Sequence, residues 1–196
     1  MFAKRIALEG ADRMGKFTQT NLLTEVLKSK GYRTKLFEVP FNDHVTYLIV
    51  YWMLKNGMAK SLPNLFQFMQ FLNKMLFQCF VLPFYLLFND FVVFDRWALS
   101  AIVYGNAGGA NPHFNSLLYK FLLKPHHTIV LTGNAHIKGN EDVYEKDDSF
   151  QAKVRDSYVT YALFPKHSGV NANYDVVTVH EDIMHTIKKF LTKKKV

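Results

Sequence analysis

The segment that most constrains this chain is RIALEGADRMGKFTQ, at positions 5–19. A short aliphatic run is followed there by the spacing G-x-x-x-x-G-K, which ends at Lys16, and then by a helical pattern. Glycines let a loop turn tightly so that backbone N–H groups point at phosphate oxygens, and a following helix adds the positive end of its dipole. This order predicts a phosphate-binding loop in which Lys16 neutralises nucleotide phosphates. The alternative is an ordinary strand-to-helix turn with an exposed lysine.

The residue after Lys16 departs from the general motif. Ser or Thr normally stands there, and its hydroxyl ligates Mg²⁺. The chain has Phe17 at this position, and a phenyl ring offers no oxygen. We therefore expect an incomplete metal site at the loop.

Composition indicates one globular domain. The chain has 196 residues, of which 49% are hydrophobic and 20% are charged, enough to bury a sizeable core. Its single cysteine, Cys79, excludes an intramolecular disulfide and favours a reducing compartment. We expect this thiol to be buried and inert. Because no signal sequence precedes the first strand, we expect a cytoplasmic or nuclear protein.

The most apolar run, Met75–Phe88, is short for a membrane span and contains Gln78 and Pro83. We predict a buried helix with a break there, its phenylalanines filling the core, and no membrane association. The formal charge of +8 is dispersed except for the lysines at 193–195. A solvated tail explains that run, so binding to nucleic acid is not expected.

Hydrophobic runs and chain breakers predict alternating strands and helices. The predicted strands are Arg5–Glu9, Thr34–Val39, Phe91–Asp95, Thr128–Thr132 and Asp175–His180. The predicted helices are Lys16–Lys30, His44–Asn56, Pro63–Leu82, Trp97–Tyr104, Asn115–Leu123, Ser149–Tyr161 and Asp182–Thr192. The pattern indicates an α/β protein with a three-layer P-loop NTPase fold, in which helices flank a five-stranded, mostly parallel sheet. The polar segment Gly133–Asp148 follows a strand and is predicted to be a lid.

Four motifs together resemble the thymidylate kinase family, P-loop enzymes that move the γ-phosphate of ATP onto dTMP. LEGADRMGKFTQ resembles the family's F-E-G-x-D-x-x-G-K-[ST]-T-Q loop, and VVFDRWALSAIVYG resembles V-x-D-R-[YFW]-x-x-S-x-x-A-Y. LKPHHTIVL resembles L-x-x-P-D-L-x-x-x-L, and VYEKDDSFQAKVRDSY resembles Y-E-x-x-x-F-Q-x-x-V-x-x-x-Y. Their order across nearly the whole chain implies a single P-loop kinase domain over residues 1–196, with the lid at about 133–148.

The resemblance implies roles for residues on the donor side. The residues expected to bind ATP are Gly10, Ala11, Asp12, Arg13, Met14, Gly15, Lys16, Phe17 and Thr18. Those expected to act in catalysis are Arg13, Lys16, Asp95 and Arg96. Arg13 resembles the loop arginine of the eukaryote-like subtype, which stabilises the transferring phosphoryl group. The absence of arginine from Gly133–Asp148 agrees with that subtype. Asp95 is expected to orient Arg96 or to hold Mg²⁺, directly or through water.

On the acceptor side, the resemblance implies that Asp12 accepts a hydrogen bond from the deoxyribose 3′-hydroxyl. It also implies that the guanidinium of Arg96 binds the 5′-phosphate through two hydrogen bonds. Tyr104 falls where the family places an aromatic ring against C2′, and Tyr144 and Glu145 would close from the lid. The other expected acceptor contacts are Glu38, Pro40, Phe71, Lys74 and Ser100.

Three positions depart from the family pattern on the acceptor side. Asn42 replaces an arginine that contacts the acceptor phosphate, and Lys74 replaces the arginine that bonds the thymine O4. Gln70 stands where a phenylalanine stacks on the base, with Phe68 and Phe71 near enough to take its place. Because arginine and lysine are not interchangeable at a bidentate site, these changes bear on which acceptor is used.

The resemblance thus implies ATP and dTMP as substrates, Mg²⁺ as the cofactor and a homodimer packed through helices. Two alternatives stay open at this point. One is a kinase for another deoxypyrimidine monophosphate, dUMP or a 5-modified dUMP, as the changes at Gln70 and Lys74 suggest. The other is a weakly catalytic homologue that binds nucleotide or nucleic acid, which Phe17, Asn42 and the positive charge would favour.

Overall fold

The computed structural model of the protein describes residues 2–42, 45–134 and 148–191. Five strands form one sheet with the order β2-β3-β1-β4-β5. They are β1 (Lys4–Gly10), β2 (Thr34–Glu38), β3 (Phe91–Asp95), β4 (His127–Thr132) and β5 (His167–Asn171). All four strand pairings are parallel. The predicted three-layer α/β architecture is confirmed, and the described sheet is parallel throughout.

Helices cover both faces of this sheet. They are α1 (Lys16–Ser29), α2 (Val45–Lys55), α3 (Met58–Ser61), α4 (Pro63–Phe80), α5 (Leu82–Phe88), α6 (Ala98–Ala107), α7 (Pro112–Tyr119), α8 (Asp148–Ala162) and α9 (Val176–Ile187), followed by a 3₁₀ turn at Lys188–Phe190. α7 begins earlier than predicted because Asn111 caps it, accepting hydrogen bonds from the backbone of His113 and Phe114 at 3.0 Å.

The core has two halves, one on each face of the sheet. Ile6 and Leu8 of β1 belong to the half that packs with α1, α8 and α9. Ala7 of β1 and Phe94 of β3 belong to the half that includes Trp97 and residues of α4 to α7. Neighbouring residues of one strand are therefore buried on opposite faces, which explains why β3 and β4 read as nearly continuous apolar runs. The carboxyl ends of β1, β2 and β3 meet at one edge of the sheet.

The predicted strand at Asp175–His180 is wrong. This segment begins α9, and the Asp175 carboxylate caps the helix by accepting hydrogen bonds from the backbone N–H groups of Val177 (3.0 Å) and Thr178 (3.2 Å). Val179 and Ile183, one helical turn apart, are buried against the sheet. The cap and this spacing outweigh the β propensity of a run rich in valine.

The fifth strand is instead His167–Asn171, and no hydrophobic pattern in the sequence predicts it. It lies at the edge of the sheet and pairs only with β4. Val170 is the one residue of this strand that is buried. An edge strand of this kind needs few apolar side chains, so the sequence HSGVN reads as a loop.

The apolar run at 75–88 breaks as predicted, but much of it is exposed. α4 and α5 meet at Val81 with a bend of 44°. Phe77 is buried, whereas Phe80 is 79% exposed and Phe84 60% exposed. Cys79 is also exposed, so the expectation of a buried thiol is wrong. The prediction that the phenylalanines of this run fill the core is therefore wrong for Phe80 and Phe84.

Within the described ranges, no single helix is both long enough and apolar enough to cross a membrane. α4 and α5 pass a test of length and composition only when taken together as a bent pair.

Candidate active site

The loop after β1 has a backbone that requires glycine at two positions. A Cβ atom on Gly10 would lie 2.9 Å from the carbonyl oxygen of Leu131 on β4, too close for any side chain. Gly15 has a φ of 73°, a left-handed conformation, and its carbonyl accepts the first helical hydrogen bond of α1 from Gln19, at 3.0 Å. The loop therefore turns tightly into the positive end of a helix, as predicted.

Lys16 is the first residue of α1, and its side chain is buried rather than exposed. Its ammonium group donates a hydrogen bond to the carbonyl oxygen of Ala11, across the loop. Burial, together with the nearby charge of Arg96, lowers the pKa of Lys16 to about 7, although Asp12 and Asp95 act in the opposite direction. A bound polyphosphate would supply the negative charge that holds this lysine protonated.

The loop forms one wall of a cavity of about 690 Å³. It is lined by Arg13, Lys16, Phe17 and Thr18 from the loop and the start of α1, and by Asp95 and Arg96 from the end of β3. Tyr174 and Val176, at the start of α9, also line it. This volume lies in the range of pockets that hold small ligands and cofactors. The cavity can accommodate a nucleotide whose phosphates lie on the loop.

A strained turn at the end of β3 positions Asp95 and Arg96. Arg96 has a φ of 66°, which is rare outside glycine and costs roughly 1 kcal/mol or more. Its backbone N–H donates to the carbonyl oxygen of Leu8 at 2.9 Å. Burial raises the pKa of Asp95, and the charges of Arg96 and Lys16 oppose that effect. A half-buried carboxylate beside the phosphate loop is a hard oxygen donor of the kind that Mg²⁺ prefers.

Asp12 and Arg96 form an ion pair between the loop and this turn. The second carboxylate oxygen of Asp12 accepts a hydrogen bond from Gln151 of α8, at 3.1 Å. Burial would raise the pKa of Asp12, but Arg96 and Lys16 outweigh it and lower the pKa to about 2. The Arg96 guanidinium also lies 5.2 Å from the centroid of the Tyr104 ring. Asp12 is therefore held as a charged hydrogen-bond acceptor.

A second cavity, of about 230 Å³, lies on the other side of Arg96. Its lining brings together the predicted acceptor residues Asp12, Pro40, Lys74, Arg96, Ser100 and Tyr104. Arg96 and Val39 line both cavities. Two separate chambers thus meet at one arginine side chain.

The far end of the smaller cavity is formed by α4. Lys74 is 2% exposed, and its ammonium group donates a hydrogen bond to the side-chain oxygen of Gln70 at 3.3 Å. Burial lowers the pKa of Lys74 to about 7. The aromatic residue from α4 that lines this cavity is Phe66. Phe71 lies outside the lining, with its ring edge-on to Tyr119 in the core.

Several other predicted residues can now be located. Glu38 lines the larger cavity beside Asp95 and not the smaller one. Asn42 is exposed and lines neither cavity. Tyr144, Glu145 and most of the predicted lid lie outside the described residues.

Sequence reasoning missed several residues that shape the site. Glu9 is fully buried beneath the loop, and Gln67 lines the smaller cavity. Gln151 bonds Asp12 from a helix that is 139 residues away along the chain. Buried Asn73 bonds the backbone of Phe41 and so fixes the chain after β2. A polar residue inside an apolar helix pattern was the available signal for Gln67 and Asn73.

The fold and the site define the class first: this is a P-loop protein with two cavities, of which the phosphate loop lines the larger. The sequence profile of the thymidylate kinase family matches residues 8–183. The chain is 30% identical over 208 residues to the thymidylate kinase of Plasmodium falciparum, and the match covers 98% of this chain and 91% of that protein. The thymidylate kinase structure from Candida albicans superposes with a TM-score of 0.79 at 23% identity, covering 96% of this chain and 92% of that one. The chain belongs to the thymidylate kinase family.

Proposed function

We propose that this protein transfers the γ-phosphate of ATP to dTMP and so produces dTDP. Membership of the thymidylate kinase family supports this activity. The observation that carries the proposal is the position of Arg96, a residue that lines both the phosphate-loop cavity and the smaller cavity. A cation between two phosphate-bearing ligands stabilises negative charge as a phosphoryl group passes from one to the other.

On the donor side, the loop backbone and Lys16 bind the ATP phosphates in this proposal. Arg13, which lines the same cavity, neutralises the charge that develops on the transferring group. Asp95 and the exposed hydroxyl of Thr18 provide hard oxygen donors toward Mg²⁺. When bound, Mg²⁺ would offset the negative charge of the phosphates.

On the acceptor side, the charged Asp12 accepts a hydrogen bond from the 3′-hydroxyl, and Arg96 binds the 5′-phosphate. Tyr104 lies beside Arg96 and closes the sugar region of the cavity. Lys74 and Gln70 form the polar end that faces the base. Transfer is direct and in line, because the acceptor oxygen approaches from one cavity and the leaving ADP remains in the other.

A coupled assay of ADP formation across dTMP, dUMP, dCMP and dGMP tests the proposal, with Mg²⁺ omitted as a control. We expect turnover to be highest with dTMP and to be lost without Mg²⁺. A clear preference for dUMP would replace this proposal with a kinase for another deoxypyrimidine. Absence of turnover with every acceptor, together with salt-sensitive DNA binding, would indicate a binding protein instead.

We further propose that the protein is a homodimer in which the exposed face of α4 and α5 takes part. Phe80, Phe84 and Phe88 are all more than half exposed and are spaced four residues apart. Contiguous apolar patches of this kind are uncommon on monomers. Sedimentation velocity should give twice the chain mass of 22.8 kDa. Phe84→Glu should shift the protein toward monomer, whereas Leu163→Glu, at an exposed site after α8, should not.

A further inference from the structure

Glu9 is buried, and each of its two carboxylate oxygens accepts a hydrogen bond. It is the second-last residue of β1 and is 1% exposed. Its Oε1 atom accepts a hydrogen bond from the backbone N–H of Trp97 at 2.9 Å, and its Oε2 atom accepts one from the hydroxyl of Ser100. The Ser100 hydroxyl lies 2.8 Å from the hydroxyl of buried Tyr158. A buried carboxylate is costly unless it is bonded in this way.

The first contact stabilises the strained turn that carries Arg96. Two consecutive residues of β1 bind two consecutive residues of the turn, since Leu8 accepts from the backbone of Arg96 and Glu9 accepts from that of Trp97. A left-handed arginine persists only where its surroundings fix it. Glu9 supplies one of the hydrogen bonds that fix this turn.

The same carboxylate accepts a backbone hydrogen bond at the start of α6. Trp97 is the N-cap residue of that helix and makes no side-chain cap of its own. Free N–H groups at a helix start favour a negative group, which here comes from a neighbouring strand. Ser100, bonded to Glu9, lines the acceptor cavity. Through Ser100, Glu9 therefore helps to fix the wall of that cavity.

Glu9 also lies among the buried cations of the site. Burial raises the pKa of Glu9, while the hydrogen bond from Ser100 and the charge of Arg96 lower it. Burial lowers the pKa of Lys74, and Glu9 is the carboxylate that acts against that effect. Lys74 itself forms one end of the acceptor cavity.

We propose that Glu9 is a positioning residue for the acceptor site, whose carboxylate fixes the Arg96 turn and the start of α6 through its hydrogen bonds to Trp97 and Ser100. The inference rests on the proposed function only in taking the smaller cavity as the acceptor site. Trp97 and Ser100 both line the smaller cavity and not the larger one, so we expect the effect of Glu9 to fall mainly on the acceptor.

Glu9→Gln tests this proposal, since it keeps an oxygen acceptor for Trp97 and removes the charge. We expect the KM for dTMP to rise about tenfold and the KM for ATP to change less than about twofold. Tyr158→Phe is the matched control: it removes the outer hydrogen bond of the same network and should leave the KM for dTMP within about twofold of the wild-type value.

NMR makes the test independent of turnover. In the wild-type protein the ¹³C shift of the Glu9 carboxyl should be that of a carboxylate at pH 7. A protonated Glu9 at pH 7 would overturn the proposal even if the variant failed to fold. An unchanged KM for dTMP in a folded Glu9→Gln protein would also overturn it. Absence of dTMP turnover in the wild type, with the carboxylate shift as expected, would refute only the proposed function.

Discussion

Phe17 stands where a hydroxyl would ligate Mg²⁺, and the structure makes its replacement informative. The side chain is 62% exposed and lines the larger cavity. Since complete burial of a phenylalanine is worth about 2–3 kcal/mol, loss of this partly covered ring should cost about 1 kcal/mol. For a chain of this length that corresponds to a fall in Tm of about 2–4 °C. Serine and phenylalanine have similar helix propensities, so the start of α1 should not suffer.

Phe17→Ser would place an oxygen beside the phosphates at the motif's usual position. If this hydroxyl contributes about 1 kcal/mol to metal binding, the Mg²⁺ concentration for half-maximal activity should fall about fivefold. We expect kcat to rise as well, because the metal neutralises charge on the transferring group. The assay is initial rate against Mg²⁺ concentration at saturating ATP and dTMP.

Phe17→Ala is the matched control, since it removes the same ring without adding an oxygen. Its Mg²⁺ dependence should equal that of the wild type, and its Tm should equal that of Phe17→Ser. Thr18→Val tests the other hydroxyl that lines the cavity. If Phe17→Ser and Phe17→Ala require the same Mg²⁺ concentration, the ring is not what limits metal binding and the reasoning is refuted.

Three further predictions concern single side chains. Lys16→Ala should reduce kcat by more than about tenfold. It should not lower Tm, because the buried charge of Lys16 is unfavourable until phosphate binds. Retention of more than about a tenth of the wild-type rate in steady-state kinetics would contradict this. Arg13→Ala should lower kcat far more than it raises the KM for ATP, and the reverse pattern would make Arg13 a ground-state contact. Burial lowers the pKa of His127 to about 4, whereas the unfolded chain has a pKa of about 6.5 at this residue. The unfolded state therefore binds a proton first as the pH falls. The contribution of His127 to the free energy of unfolding should be fully present above pH 6.5 and should be lost between pH 6.5 and 4. Urea unfolding should give a loss of about 1–2 kcal/mol from pH 7 to pH 5. His127→Phe should abolish the part of this loss due to His127, and an equal loss in the variant would contradict the assignment.

The sequence was sufficient where local chemistry determines structure. The phosphate loop was predictable because Gly10 and Gly15 are required by the backbone itself. β1, β3 and β4 were predictable because they lie inside the sheet and are buried along most of their length. β2 lies at one edge of the sheet and buries only Thr34, but its Leu36 and Phe37 still gave a signal. β5 was not predictable, because it lies at the other edge and buries only Val170 among its five residues. The Asp175 cap of α9 was a signal in the sequence that the valine-rich run concealed.

Which face of an apolar helix turns inward was not predictable. In α4 the residues Phe66, Phe68 and Phe71 all lie close in sequence, yet Phe66 alone of these lines the acceptor cavity. Phe80 and Phe84 are exposed although their chemistry suits a core. The neighbouring elements decide this, and a single sequence does not record them. Contacts such as that between Gln151 and Asp12 depend on packing across most of the chain.

Burial reduces the repulsion among the cations of the site. It lowers the pKa of both Lys16 and Lys74 to about 7, so neither is forced to carry a full charge near neutral pH. Arg96 has no such freedom, because a guanidinium stays protonated, and its side chain is paired with the carboxylate of Asp12. In the proposed function, a nucleotide phosphate that enters the larger cavity raises the pKa of Lys16 again. At the smaller cavity, the protein itself supplies negative charge through Asp12.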